Sequence, residues 1–169
     1  SSKIVYKNQW MEVVEDAIEI NGRRGIYSVL KKKDGVVIVP LFEDGTMMLI
    51  GQWRYPINRY SWELPMGGTE GEDLLTAAKR ELQEETHYQA RAWKKVGFFY
   101  VADGHANQGM HVFDARDLFE AQGGGDEHHE LSVKRVSPEE CRRMVERGEI
   151  FDGPTISSLY LFILSQKNA

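Results

Sequence analysis

Along the first part of the chain apolar and polar positions alternate, and turn residues interrupt the alternation, which predicts strands. Residues 11–20 alternate loosely and stop at the turn dipeptide Asn21-Gly22, and residues 25–32 form a second run. Residues 35–41 are nearly all apolar, as in a strand buried on both faces. Glu43-Asp44-Gly45 reads as a tight turn, with residues 46–53 as the hairpin partner of that strand. The period then changes to that of a helix over residues 72–86, where Leu75, Ala78 and Leu82 recur at i, i+3, i+7 and Leu74 extends the face. Strands are predicted again at residues 93–101, 110–114 and 131–136, with residues 123–130 as a mobile surface loop. Ser137-Pro138-Glu139-Glu140 is a capping box with proline at the first helical position, which starts a helix to about Arg147. Gly153-Pro154 opens the last helix, whose Ile156, Leu159, Tyr160, Ile163 and Leu164 form a stripe predicted to pack on the core. The order of elements gives an α/β (α+β) class, a mixed sheet with helices on its faces and an antiparallel strand region at the N-terminus. No linker, repeat or low-complexity segment divides the chain.

The helix at residues 72–86 carries an electrostatic oddity. Glu81, Glu84 and Glu85 crowd one side at i, i+3, i+4, a spacing at which like charges repel. At about 100° per residue, Glu81 and Glu85 fall at the edge of the apolar arc, where core meets water, and Glu84 lies further toward solvent. Arg80 precedes Glu84 by four residues and can form an ordinary surface ion pair with it. Just upstream, Glu63-Leu64-Pro65-Met66-Gly67-Gly68-Thr69-Glu70-Gly71 brings glycines that let backbone approach a ligand and expose carbonyls. Carboxylates beside such a loop make a hard oxygen site suited to Mg²⁺ or Mn²⁺, ions that share substrate phosphates and activate water.

Composition narrows the choice. A chain of 169 residues with 41% hydrophobic content suits one domain with a sizeable core. No apolar run of about 18 residues and no signal-peptide pattern is present, so neither a membrane span nor export is expected. A net charge of -5 argues against a nucleic-acid-coating surface, so phosphates must be met locally, by metal or a few arginines. Cys141 is the only cysteine and is read as a structural bystander, which points to a reducing cytoplasm.

Glu72, Arg80-Glu81-Leu82-Gln83-Glu84-Glu85 and the preceding glycines resemble the Nudix box, G-x5-E-x7-R-E-U-x-E-E-x-G-U with U a bulky apolar residue. The E-x7-R-E-U-x-E-E part matches without a gap. The resemblance implies the Nudix fold, a mixed sheet between helices, over a single domain at 1–169, and hydrolysis of a nucleoside diphosphate linked to another moiety. It implies Glu81 and Glu85 as principal metal ligands, Glu84 as a supporting one, and the Met66 carbonyl as the loop ligand. Two positions depart from the box. Met66 stands where the first glycine belongs, and Gly67 is expected to fill that role. His87 replaces the second glycine and is read as a tolerated left-handed cap. Glu72 is expected to cap the helix and hold Arg80.

Gln52-Trp53-Arg54-Tyr55-Pro56 and Trp62-Glu63-Leu64-Pro65 are similar to the ADP-ribose pyrophosphatase and nucleoside-diphosphate-sugar hydrolase branch, and so is the run Phe151-Asp152-Gly153-Pro154-Thr155. That similarity makes Arg54 and Glu63 candidates for the substrate's diphosphate and its sugar or base, although a strand-end ion pair is an equal reading of Arg54. The branch's S-P-G-x-x-x-E loop is replaced by residues 102–108, where Asp103 stands for the proline and Gln108 for the glutamate. A neutral amide cannot serve as base, so Glu127, Glu130, Asp103 or Glu84 must replace it, with His128 and His129 as possible phosphate contacts. Relatives imply a homodimer joined through residues 1–34, with residues 35–169 as catalytic core and Tyr27 or Tyr6 stacking on the base. The leading expectation is therefore a Mg²⁺-dependent hydrolase of ADP-ribose or sugar nucleotides. Hydrolysis of a nucleoside triphosphate or dinucleoside polyphosphate, and a non-catalytic nucleotide sensor, are the alternatives.

Overall fold

The structure is a computed structural model that describes residues 1–121 and 131–167. Among the described residues, ten strands and three α-helices occur in the order β1 (Ser2–Lys7), β2 (Glu12–Ile20), β3 (Arg23–Lys31), β4 (Gly35–Pro40), β5 (Met47–Arg54), β6 (Arg59–Glu63), β7 (Met66–Gly68), α1 (Leu74–Thr86), β8 (Tyr88–Tyr100), β9 (Gly109–Glu120), β10 (Ser132–Val136), α2 (Pro138–Glu146) and α3 (Gly153–Lys167), with a 3₁₀ turn at Tyr55–Ile57 between β5 and β6. The strands form three sheets, ordered β1-β2-β3, β7-β4-β9-β8 and β10-β5-β6. This is the mixed α+β architecture that the pattern of elements predicts.

The four-stranded sheet organises the molecule. Its β4 is buried at every position and pairs antiparallel with β7 and parallel with β9. Alternate side chains of β4 face two separate clusters. Val36 and Ile38 pack with Phe113 and Ala115 against Ala77, Ala78 and Leu82 of α1. Val37 and Val39 face the opposite way, toward Leu49, Leu64, Met144, Ile150 and Phe162. The sheet is thus covered by α1 on one side and by α2, α3 and the second sheet on the other.

Three sequence expectations need correction. Residues 46–53 form β5, but β5 is not the hairpin partner of β4: the two share only the bridge Leu41–Met47 before β5 pairs with β6 and β10. Both edges of β4 are already bonded to β7 and β9, so β5 has no edge to join. On α1, Leu75 is 37% exposed and the buried set is shifted to Ala77, Ala78 and Leu82. On α3, Ile156, Tyr160, Ile163 and Leu164 are exposed, whereas Thr155, Ser158 and Phe162 face the core. Small residues at 155 and 158 let α3 approach closely. Gly97 of β8 does the same, since a Cβ there would lie 2.6 Å from Leu161 Cδ1.

Strands β1 to β3 form a largely exposed antiparallel sheet with a turn at Asn21-Gly22, where both φ angles are positive (52° and 75°) as a tight hairpin demands. Its last strand is stitched to the segment at residues 104–107. Leu30 N donates to His105 O at 2.8 Å, Asn107 N donates to Leu30 O at 3.2 Å, and the Tyr27 hydroxyl donates to Gly104 O.

Two substitutions separate the core from the misread stripe. Leu49→Ala, at a fully buried position, should cost about 2–5 kcal/mol. Ile163→Ala, at a half-exposed position, should cost less than about 1 kcal/mol. Urea melts of both variants test this, and a larger loss for Ile163→Ala would restore the stripe to the core.

Candidate active site

Helix α1 is set at both ends by side-chain chemistry. Asp73, not Glu72, is its N-cap: Asp73 Oδ1 accepts from Leu75 N and Thr76 N, both at 3.1 Å. Glu72 instead accepts from Arg80 Nε at 2.9 Å, so of its two expected duties it performs the second. At the other end His87 adopts φ 62°, and its amide donates to Gln83 O at 2.9 Å, the left-handed cap expected of it.

Arg80 is the centre of this helix. Besides Glu72, its Nη1 donates to Glu81 Oε1 and Glu84 Oε2 and its Nη2 to Gly68 O, each at 2.9 Å. Glu81 is 9% exposed, Glu85 is half-buried and Glu84 is exposed, which matches their places on the helical wheel. The Glu81 carboxylate rests on the backbone of Gly67, where a Cβ would lie 2.1 Å from the carboxyl carbon. Only glycine allows that approach, so Gly67 does fill the close-approach role. Glu85 Oε2 accepts from Met66 N at 2.9 Å, and Pro65 O accepts from Ile38 N at 2.9 Å, which fixes the loop to β4.

Burial favours the protonated form of both Glu81 and Glu85. Burial pushes Glu85 up to about 8; the Met66 amide and Arg54 oppose the shift, while Glu81 and Glu63 add to it. Glu81 is raised as well, chiefly by burial, and Arg80 offsets part of that. Among the described residues, no three of His, Cys, Asp and Glu stand as a preformed metal cluster, and Arg80 bonds both Glu81 and Glu84. The donor set nevertheless fits a hard divalent cation: buried, mutually repelling carboxylate oxygens against a glycine backbone need positive charge and offer only oxygen.

Arg54 and Glu63 lie beside this group and bind each other. Arg54 Nε donates to Glu63 Oε1 at 2.9 Å and to Oε2 at 3.1 Å, and Nη2 also donates to Oε2. Glu63 is 1% exposed. Asp152, which the motif reading left without a role, accepts from Thr155 N at 2.8 Å at the start of α3 and acts on the same guanidinium.

A cleft of about 480 Å³ opens next to the glycine loop, lined by Gln9, Trp10, Lys32, Lys33, Gly68, Glu70 and Gln108. Gln108 thus lines the cleft beside Gly68 and Glu70. Asp103 is exposed in the same segment, and Tyr27 reaches that segment through its hydroxyl, while Tyr6 lies on β1. Asp34 ties this segment to the glycine loop: its carbonyl accepts from Thr69 N at 3.2 Å and its Oδ1 from Gly109 N at 3.0 Å. Glu127, Glu130, His128 and His129 lie outside the described residues. Sequence reasoning missed Trp10, Lys32 and Lys33, which carry no periodic or motif signal and meet the site only in the fold. Cys141 is buried, and burial pushes its thiol up to about 11, which suits a bystander.

The raised Glu85 makes a stability prediction for the metal-free protein. Between about 4.5 and about 8 the folded chain keeps a proton that the unfolded chain has lost, so stability falls as pH rises through that window. Glu85→Gln should therefore stabilise the protein in EDTA by on the order of 2 kcal/mol at pH 8 and by little at pH 4.5. Urea melts at both pH values test it, and an equal gain at both would refute burial as the cause. Gly67→Ala should displace the Glu81 carboxylate and weaken Mn²⁺ binding in titration calorimetry at least 10-fold; unchanged affinity would show that Glu81 does not hold the ion.

Comparison with known proteins agrees with this geometry. Residues 31–159 match the NUDIX domain model. The ADP-ribose pyrophosphatase of Bacillus subtilis is 31% identical over 156 residues, 90% of this chain and 84% of that protein. The GDP-mannose pyrophosphatase of Pectobacterium atrosepticum is 29% identical, covering 80% of this chain and 76% of its own. A crystal structure of an ADP compounds hydrolase superposes with a TM-score of 0.88 over 99% of this chain and 92% of that one; at 22% identity it speaks for the fold alone. Carboxylate helix, glycine loop, family match and relatives converge on one conclusion: the chain belongs to the Nudix family and is a pyrophosphohydrolase.

Proposed function

We propose that the chain hydrolyses the diphosphate of ADP-ribose or of a nucleoside diphosphate sugar, releasing a nucleoside monophosphate and a sugar phosphate. The observation that carries this reading is the gathering of Glu81, Glu84 and Glu85 beside the Gly67–Gly68 backbone, together with relatives named for such substrates. Glu81, Glu85 and the Met66 carbonyl would hold Mg²⁺ or Mn²⁺, with Glu84 in support. When bound, the ion neutralises phosphate charge and lowers the pKa of water. The chain's own residues do the rest. Arg54 supplies a fixed positive charge beside the carboxylates for the diphosphate. Glu84, exposed and held among the described residues by Arg80, is the box carboxylate we assign to take a proton from water. Asp103, Glu127 and Glu130 remain the loop candidates for that duty, whereas Gln108 offers the substrate an amide.

The cleft beside Gly68 is where we place the nucleoside. Trp10 is 71% exposed there and presents an aromatic face, while the Tyr27 hydroxyl is already committed to Gly104. Lys32 and Lys33 give the cleft positive charge in a chain of net charge -5. Homodimerisation through residues 1–34, with residues 35–169 as the catalytic core, belongs to the same reading, supported by exposed Ile4, Tyr6 and Ile26 on the N-terminal sheet. So does a cytoplasmic setting, supported by the single, buried Cys141.

A panel of ADP-ribose, GDP-mannose, UDP-glucose, a dinucleoside tetraphosphate and ATP, incubated with Mg²⁺ and resolved by chromatography, tests the substrate. Turnover should be greatest for ADP-ribose or a sugar nucleotide and absent in Glu85→Gln. Turnover confined to ATP or the tetraphosphate would refute the assignment. Trp10→Ala should raise KM on the order of 10-fold, the loss of about 1–3 kcal/mol of stacking, with kcat little changed. An unchanged KM would place the base elsewhere.

A further inference from the structure

The Arg54 guanidinium is held from one side only. Its Nε and Nη2 are taken by Glu63, with Nε at 2.9 Å and 3.1 Å from the two carboxylate oxygens, while among the described residues Nη1 makes no hydrogen bond. A side-on pair of this kind fixes the plane of the fork and leaves one edge to face outward. Glu63 is 1% exposed and engaged through both oxygens, with Gln52 Nε2 adding a contact at 3.4 Å, so it has little left to offer a sugar hydroxyl. The neighbouring Leu64 amide donates to Thr155 Oγ1 at 3.0 Å, and the Thr155 amide donates to Asp152 Oδ2 at 2.8 Å. These two bonds bolt the first turn of α3 beside Glu63. They place the Asp152 carboxylate, which both the amide and the side chain of Thr155 serve, at the start of α3 on the side of Glu63.

We propose that Glu63 and Asp152 are positioning residues for Arg54: from the end of β6 and the start of α3, they hold its guanidinium so that the Nη1 edge meets the substrate's phosphate. The proposal rests on the diphosphate-hydrolase reading above and assigns Glu63 to the arginine, not to the sugar or base. Electrostatics agree with the geometry. Glu63 is the principal influence that keeps Arg54 protonated, and Asp152 and Glu85 add to it. Burial raises the Asp152 carboxyl, the Thr155 amide and side chain oppose this, Glu63 adds to the rise and Arg54 relieves it. One guanidinium therefore sits among acids from β6, α1 and the start of α3: Glu63 bonds it directly, and Glu85 and Asp152 act on it through charge.

Asp152→Asn separates positioning from capping, because asparagine caps a helix about as well as aspartate but carries no charge. The test is a double-mutant cycle with Arg54→Gln, read by titration calorimetry with ADP and Mg²⁺ as probe. Asp152→Asn should weaken ADP binding three- to tenfold when Arg54 is present and by less than twofold when Arg54 is Gln. Equal losses in both backgrounds would mean that Asp152 acts only through the fold, and would overturn the proposal. A second readout needs no substrate: the Arg54 Nε–H signal in ¹⁵N NMR should exchange slowly in the wild type. It should exchange faster in both Asp152→Asn and Glu63→Gln, while the Thr155 amide signal of Asp152→Asn stays in place. An unchanged Arg54 signal in a folded Asp152→Asn protein overturns the proposal even if Glu63→Gln fails to fold. A wild type that neither binds ADP nor turns over any diphosphate would sink the functional reading instead, and the NMR result would still decide the positioning.

Discussion

Carboxylates at the edge of a core must find positive charge or take up protons, and the site is built around that constraint. Glu81 and Glu85 project from α1 against the Gly67 backbone and the Met66 amide, in surroundings that favour their neutral forms. Arg80 resolves part of the conflict by donating four of its N–H groups, to Glu72, Glu81, Glu84 and Gly68 O. It thereby links Glu72, just upstream of the N-cap, the helix face and the glycine loop in one network. Glu85 receives no direct bond from it and keeps the largest shift. The residue least satisfied by protein partners is thus the one most in need of a cation, which is what a metal ligand should look like before its metal arrives.

The fold serves this arrangement through closeness. Leu82, Ala77 and Ala78 hold α1 on Val36 and Ile38 of β4, and the Ile38 amide fixes Pro65, one residue before the loop. The same strand therefore sets the depth of the helix and the position of the loop opposite it. On the other face, Thr155 and Ser158 let α3 lie close to the sheet, and the Thr155 hydroxyl takes the Leu64 amide next to Glu63. Packing on both sides of one sheet thus converges on the segment from Glu63 to Gly68, which carries an acid partner for Arg54 and the backbone for Glu81 and Glu85.

Local signals in the sequence were strong where a single element decided the outcome. The α1 pattern, the left-handed His87 and the Ser137 cap, which accepts from Glu140 N at 3.1 Å, all follow from short-range chemistry. Signals failed where distant partners decided. The Glu43–Gly45 turn looks like a hairpin, yet β4 had no free edge. The α3 stripe misled because residues 159–164 are continuously apolar and hide which face is buried, and the core chose Thr155 and Ser158 for their size. Asp73 displaced Glu72 as the cap because the first turn starts one residue later and the shorter side chain reaches two amides. The carboxylates around Arg54 were illegible for another reason: Glu63, Glu85 and Asp152 are far apart in sequence and share no spacing. Trp10 and the lysines meet the loop only once β3 and the segment at residues 104–107 are joined.

The two arginines of the site divide their work by what their partners leave unused. Arg80 has spent nearly all its donors on protein oxygens and is 23% exposed, so it acts as an internal counter-charge. Arg54 is 38% exposed and pairs with one deeply buried carboxylate from the side, which leaves an edge unspent. Exchanging them would fail on energetic grounds: freeing Arg80 for a phosphate would leave Glu72, Glu81 and Glu84 without their shared cation, a loss of several charge-assisted bonds at once. Arg54 can meet an anion without giving up Glu63, because a guanidinium presents two faces of its fork and the pair uses one. The deeply buried Glu63 thus fixes the guanidinium in place, and in a chain of net charge -5 the unspent edge of Arg54 offers an anion directed N–H donors rather than a broad positive field.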